Sequence, residues 1–215
     1  MVRKVLLLAV VLLAAASSAF ASDNLLLNPN FDDGGLAYWK VKGVEDGTNV
    51  KLNDNKYFSA VNSVKFWADT NPGQVTLTLK QDFWGFVPNA AYIASAYFYS
   101  KGDDKLRDGA KAWVALKWYD IDNNLLASEK SDKLKGKSAD GDWELFQAQG
   151  TAPKDAAYGR IVLKMKDPGN IGDGKRLVLF DNASVKAVPE PISSSLFIAG
   201  GAVLVIGMFR KKKKG

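Results

Sequence analysis

Between residues 23 and 187, apolar and polar side chains alternate in short runs broken by Gly, Asn, Asp and Pro, without the recurrence of a helix. Val75-Thr-Leu-Thr-Leu79 alternates strictly. Residues 92–100 and 110–119, rich in aromatic and β-branched side chains, are long enough for central strands. Asp120-Ile-Asp-Asn-Asn124 reads as a turn, and residues 125–128 begin the return strand of a hairpin. Residues 160–166 and 175–180 give two more strands around a loop holding Pro168-Gly169 and Gly172-Asp-Gly174, while the polar run 130–141 reads as a solvated loop. Many short strands separated by turn chemistry predict an all-β domain, a jelly-roll β-sandwich over residues 22–187.

The two ends follow other rules. Arg3 and Lys4 precede an apolar run at 5–16, and Ala19-Phe20-Ala21 supplies a small-residue cleavage site before Ser22. This order predicts a signal peptide over residues 1–21 and an exported product. At the far end, Pro189, Glu190 and Pro191 precede an uncharged apolar stretch, 192–209, and then Arg210 and the lysines at 211–214. As a helix that stretch is about 27 Å long, enough to cross a hydrocarbon core. The basic cluster marks the cytoplasmic side. Pro-Glu-Pro, one apolar helix and a terminal basic cluster together resemble the PEP-CTERM sorting signal of bacteria that make exopolysaccharide. The resemblance covers residues 188–215. It implies recognition by an exosortase, a transpeptidase-like membrane enzyme, with processing near Pro189, Glu190 and Pro191. It also implies membrane anchoring before processing and a destination at the cell surface or in the extracellular matrix.

Charge changes the picture only at these ends. The formal net charge is +6, from 29 basic and 23 acidic residues. Residues 22–187 nevertheless hold 22 of each, so the central domain is neutral and a nucleic-acid partner is not expected. Cys and His are both absent. Their absence excludes disulfides, thiolate chemistry and a Ser-His-Asp arrangement.

A second resemblance spans the domain. Asn24-Leu-Leu-Leu-Asn-Pro-Asn-Phe-Asp32, followed by Gly34 and Trp39, is similar to the opening strand of jelly-roll carbohydrate-binding modules of the galactose-binding-like fold. Residues 179–185, with Phe180-Asp181-Asn182, are similar to their closing strand. Residues 92–100 match a central strand, and Trp143 precedes a Pro153-containing segment as in that family. The resemblance implies one structural Ca2+ held by the opening acid and the closing Asp, here Asp32 and Asp181. This chain has Asp at the first position where the family usually has Glu, which shortens the reach of the carboxylate. The alternative reading, that both carboxylates cap backbone amides, stays open. Asp120 to Asn124 is no EF-hand, because Leu125 replaces the required Gly and Ser131 the bidentate Glu.

Strand alternation also suggests where a ligand would sit. Val114, Leu116 and Trp118 share one face of their strand, and Trp113, Lys117 and Tyr119 the other. The family pattern turns Tyr92, Ala94, Ala96 and Phe98 inward, leaving Ser95, Tyr97 and Tyr99 outward. If the two strands are neighbours, Tyr97, Tyr99, Trp113 and Tyr119 form an aromatic platform beside Lys117, suited to the apolar faces of sugars. Trp39, Trp67, Trp84 and Trp143 read as packing residues. No catalytic residue stands out: only Glu45, Glu129 and Glu144 are glutamates, and no carboxylate pair is singled out. Two functions fit about equally, a non-catalytic module for glycan or exopolysaccharide and a structural or adhesive matrix protein. A glycoside hydrolase trails them.

Overall fold

The structure, a computed structural model, describes residues 23–44, 48–59, 61–68, 74–100, 106, 109–136, 141–168 and 176–189. The compact unit Asn24–Ala187 carries the strands β1 (Lys40–Lys42), β2 (Thr48–Asn53), β3 (Ser63–Ala68), β4 (Val75–Phe83), β5 (Ala91–Tyr99), β6 (Lys111–Tyr119), β7 (Leu125–Lys130), β8 (Leu134–Lys135), β9 (Glu144–Thr151), β10 (Tyr158–Asp167) and β11 (Arg176–Ala187). Sheet A runs β1-β4-β10-β6-β7, with β8 also on β6, and sheet B runs β2-β3-β11-β5-β9. Together they make the jelly-roll β-sandwich that the alternation predicts.

The strands named from sequence are β4, β5, β6, β7, β10 and β11, which include the central members of both sheets. All but the edge strand β7 bury an apolar face, as the alternating burial of β4 and β5 shows. The strands not anticipated include the edges β1, β2 and β9. An edge strand is exposed along one side and tolerates polar residues on both faces, so its period-two signal fades. The expected loop at 130–141 holds β8, whose Leu134 is buried.

Inward residues of both sheets form the core. Trp118 of sheet A meets Tyr92 of sheet B at 5.5 Å, with Phe83 and Phe86 packed edge-on against the same indole at 5.5 and 4.9 Å. Phe180 packs at 4.5 Å against both Phe66 and Phe98. Burying each such ring contributes about 1.5–3 kcal/mol. Gly159 of β10 is required by this packing. A Cβ there would lie 2.1 Å from the ring of Phe83, its cross-strand partner.

The opening segment, expected as a strand, is instead an irregular plug. Two of its residues, Asn28 and Phe31, have positive φ, which breaks the extended run. Leu25 N donates to Val185 O at 3.0 Å, and the Asn24 amide both donates to Ala183 O and accepts from Val185 N, each at 2.9 Å. The segment thus docks on β11 and buries Phe31 against Trp39 at 5.2 Å.

One charged pair lies inside. Asp167 closes β10 and Arg176 opens β11, with Arg176 Nε 3.4 Å from Asp167 Oδ2 and both side chains almost fully buried. No helix among the described residues is long and apolar enough to cross a membrane. The expected signal peptide, Glu190, Pro191 and the apolar stretch 192–209 lie outside the described residues; Pro189 is exposed just beyond β11. Breaking a buried ion pair leaves an uncompensated charge, whereas replacing both partners does not. Arg176→Met is therefore expected to destabilise the domain by about 3–5 kcal/mol in urea unfolding, and Arg176→Met with Asp167→Leu to recover most of that loss.

Candidate functional site

The outward assignment of the aromatic residues holds on both strands. Tyr92, Ala94, Ala96 and Phe98 are buried, and Tyr97 and Tyr99 face away from the core. On β6 the inward set includes Val114, Leu116 and Trp118, leaving Trp113, Lys117 and Tyr119 outward. The two strands are not neighbours, however. β5 lies between β11 and β9 in sheet B, whereas β6 lies between β10 and β7 in sheet A. The chain crosses from one sheet to the other between them. Tyr97 and Tyr99 therefore occupy one outer surface and Trp113, Lys117 and Tyr119 the opposite one, and a single platform of all five does not form.

On sheet B the connection after β2 folds over the surface. Phe58 stacks on Tyr97 at 3.6 Å, Trp143 lies 5.4 Å from Tyr99 and 6.1 Å from Phe58, and Lys56 Nζ sits 4.8 Å over the Tyr99 ring. This cover is tied down by the two acids expected to bind metal. Phe58 N and Ser59 N donate to Asp181 Oδ2 at 2.7 and 2.8 Å, and Asn182 N donates to Asp181 Oδ1 at 2.6 Å. Val61 N donates to Asp32 Oδ1 at 3.3 Å. Burial pushes the Asp181 carboxyl above its ordinary range; the three amides oppose that rise, and the negative charge of Asp32 adds to it.

Asp32 and Asp181 thus both cap backbone amides, the alternative left open from sequence, and the charge of Asp32 acts on Asp181. Two further oxygens from the same segments, Asn30 Oδ1 and Ser59 Oγ, are buried without a hydrogen-bond partner. Carboxylate, amide and hydroxyl oxygens form the donor set a hard cation takes, so these residues fit Ca2+ chemically. No group of three or more His, Cys, Asp or Glu gathers around a metal position among the described residues.

Sheet A presents a different surface. Beyond β4, the Trp84 ring lies 6.3 Å from Tyr158, which stacks on its cross-strand partner Tyr119 at 5.1 Å and 8°. Further rows of outward residues follow from the strand register. The first is Asp82, Arg160, Lys117 and Ser128; the second is Lys40, Lys80, Val162, Ala115 and Lys130. Lys42, Thr78, Lys164 and Trp113 come next, then Thr76, Lys166, Lys111 and Lys135. Ten of these positions are Lys or Arg and one, Asp82, is acidic.

The rings and cations support one another. The Arg160 guanidinium lies 4.6 Å over Tyr119 and 5.5 Å over Tyr158 while its Nε donates to Asp82 Oδ1. Lys40 Nζ is 3.5 Å from the other Asp82 oxygen. Burial would raise the Asp82 carboxyl, but the Arg160 hydrogen bond and charge, with Lys40, outweigh it and hold it below the usual range. Trp113 is only 7% exposed, flanked by Lys164 at 5.5 Å and Lys133 at 5.9 Å. Burial first, then neighbouring cations, lowers the affinity of Lys80 and Lys117 for their protons: Arg160, Lys42 and Lys40 act on Lys80, and Lys164, Lys130 and Arg160 on Lys117.

Three residues of this surface were not anticipated. Trp84, expected to pack, is 63% exposed, because it follows the last residue of β4 and has no inward position. Tyr158 and Arg160 belong to a period-two series with Lys164 and Lys166, a signal visible in residues 158–166. Trp39 does pack, at 5% exposure.

No family model matches the chain, and no curated protein matches it. Solved structures do. The carbohydrate-binding module TmCBM61, solved with β-1,4-galactotriose, superposes with a TM-score of 0.53 at 19% identity, over 78% of this chain and 100% of that one. The CBM22-1 xylan-binding domain of Paenibacillus barcinonensis Xyn10C gives 0.54 at 14% identity, over 80% and 99%. This sandwich is a carbohydrate-binding-module-like jelly roll. The fold also occurs in enzymes: the enzymatically active domain of tailspike protein 4 from bacteriophage CBA120 gives 0.55 at 11% identity. That match covers 77% of this chain but only 21% of the tailspike chain.

Proposed function

We propose that the domain is a non-catalytic glycan-binding module acting through the outer surface of sheet A. The observation that carries this reading is the row Trp84, Tyr158 and Tyr119 beside the Arg160–Asp82 pair. Rings offer an apolar surface to the C–H faces of a sugar, and a fixed guanidinium and carboxylate next to them can bond its hydroxyls. Tyr119 and Lys117 stay in the site; Tyr97 and Tyr99 belong to the covered surface of sheet B. The fold shared with sugar-binding modules is consistent with this reading. A matrix role without sugar preference would leave an exposed Trp84 without a task.

A hydrolase would need a carboxyl with a raised proton affinity beside an ionised partner. Asp181 has that electrostatic profile, but it is fully buried and its oxygens accept three backbone amides, so it has no reach to a glycosidic oxygen. We further propose that Ca2+ is held by Asp32 and Asp181 with Asn30 and Ser59, where it would supply positive charge to a buried carboxylate and clamp the cover of sheet B. The tail at 188–215 directs the exported domain, through exosortase processing near Pro189, Glu190 and Pro191, to the cell surface or matrix.

Three measurements test these readings. On a glycan array, Trp84→Ala is expected to weaken binding about tenfold, which is about 1.4 kcal/mol; an unchanged profile would remove the ring row from the site. Because burial raises the Asp181 proton affinity above its unfolded value, ionisation costs stability as pH rises through that point. A bound cation offsets the cost only above it. Calcium is therefore expected to raise the melting temperature at pH 7 more than at pH 4, and chelation to reverse the gain. Equal melting with calcium and chelator at pH 7 would dispose of the metal. Fractionation of the native host is expected to find full-length chain in membranes and a form lacking 188–215 outside the cell. Intact chain in the soluble intracellular fraction would end the sorting proposal.

A further inference from the structure

The charge of this neutral domain is unevenly placed. Outward positions of sheet A carry cations in every interior row, and Asp82 is the one carboxylate among the described strand positions facing that way. Asp82 is already engaged by Arg160 and Lys40. Lys80, Lys117, Lys164 and Lys166 form no ion pair with a carboxylate among the described residues. Some are also fixed in place rather than free to fan into solvent. Lys164 and Lys133 flank Trp113, and Arg160 lies over Tyr119 and Tyr158. The apolar strip Trp113, Ala115 and Val162 runs beneath the lysine stems. Such a surface stores electrostatic repulsion that an anion relieves.

We infer that the outer face of sheet A binds a polyanionic glycan, a chain bearing repeated carboxylate or sulfate groups, which crosses the strands over Arg160, Lys117, Lys80 and Lys164. This rests on the glycan-binding reading and names its ligand class. Outward positions repeat about every 7 Å along a strand and about 5 Å between strands, and the ten cations spread over them give acidic groups of a polymer several alternative partners. The sheet geometry selects a chain over a plane. Adjacent strands rotate by about 20–25°, so a flat anionic bilayer meets only part of the surface of this sheet, whereas a linear polymer follows it. With Trp113 covered by cations and Trp84 the widely open ring at one end of the surface, few stacking positions are offered to single-stranded nucleic acid, which stacks successive bases on open rings. Burial is the main reason that Lys80 and Lys117 hold their protons less tightly, and the neighbouring cations add to it.

The test uses the full-length chain in non-ionic detergent, titrated with polygalacturonate, neutral β-1,4-galactan, single-stranded DNA and phosphatidylserine vesicles. Polygalacturonate is expected to bind best, with affinity falling as salt rises. Lys117→Gln with Lys164→Gln is expected to lose at least tenfold, and so is Lys111→Gln with Lys166→Gln, an independent pair on the same face. Lys51→Gln with Lys65→Gln removes equal charge from sheet B and is expected to stay within twofold of the parent. Near-UV circular dichroism checks that each variant folds. Equal losses from both sheets would reduce the effect to net charge and overturn the inference, as would tighter binding of DNA or vesicles. Binding of galactan without polygalacturonate would overturn it while leaving the glycan-binding reading standing. Binding of neither polysaccharide removes both.

Discussion

A β-strand can bury only every second residue, and in this domain the buried half is almost wholly apolar. The chemistry is thereby forced into the other half, on two outer surfaces that face away from each other. Which surface a side chain reaches depends on the sheet its strand joins, and local sequence does not encode that choice. Moving β6 into sheet B would have united Tyr97 with Trp113; its pairing with β10 instead places Trp113 opposite Lys164 and Lys117 opposite Arg160.

The partition explains what could be read in advance. The facing of β5 and β6 is local, set by a period of two, and Tyr97 and Trp118 fall where alternation puts them. Strand pairing is non-local, and here the consecutive strands β5 and β6 divide between sheets. Charge shows the same limit. Equal numbers of acids and bases make residues 22–187 neutral, yet neutrality of a sum says nothing about its distribution. Arg160, Lys164 and Lys166 all point one way because they are an even number of residues apart, while Asp167, one residue further, turns inward to Arg176. Trp84 was obscured for a different reason: beyond the end of β4, alternation no longer dictates a face.

The two outer surfaces meet different demands. On sheet B, Asp181 is buried by the segment whose amides it accepts, so the cover and the carboxylate stabilise each other. Charge-assisted bonds from backbone amides are among the stronger hydrogen bonds, and stacking of Phe58 on Tyr97 adds to them. That closure leaves Tyr97 only partly exposed. The outward rings of sheet B therefore pack against its cover.

Sheet A spends its aromatic residues differently. A ring meant to stack against sugar must present an open face, and Trp113, flanked by two ammonium groups, presents none. Its π-face instead attracts and positions Lys164 and Lys133, an interaction worth about 0.5–1 kcal/mol at exposed sites. Tyr119 and Tyr158 do the same for Arg160, whose planar fork is further held by Asp82. Only Trp84 at the end of the row remains widely open. The surface is thus organised as fixed cations on aromatic supports, with ring contact confined to one end. If the proposed polyanionic glycan binds here, such an arrangement would discriminate by the spacing of negative groups more than by the shape of a single sugar.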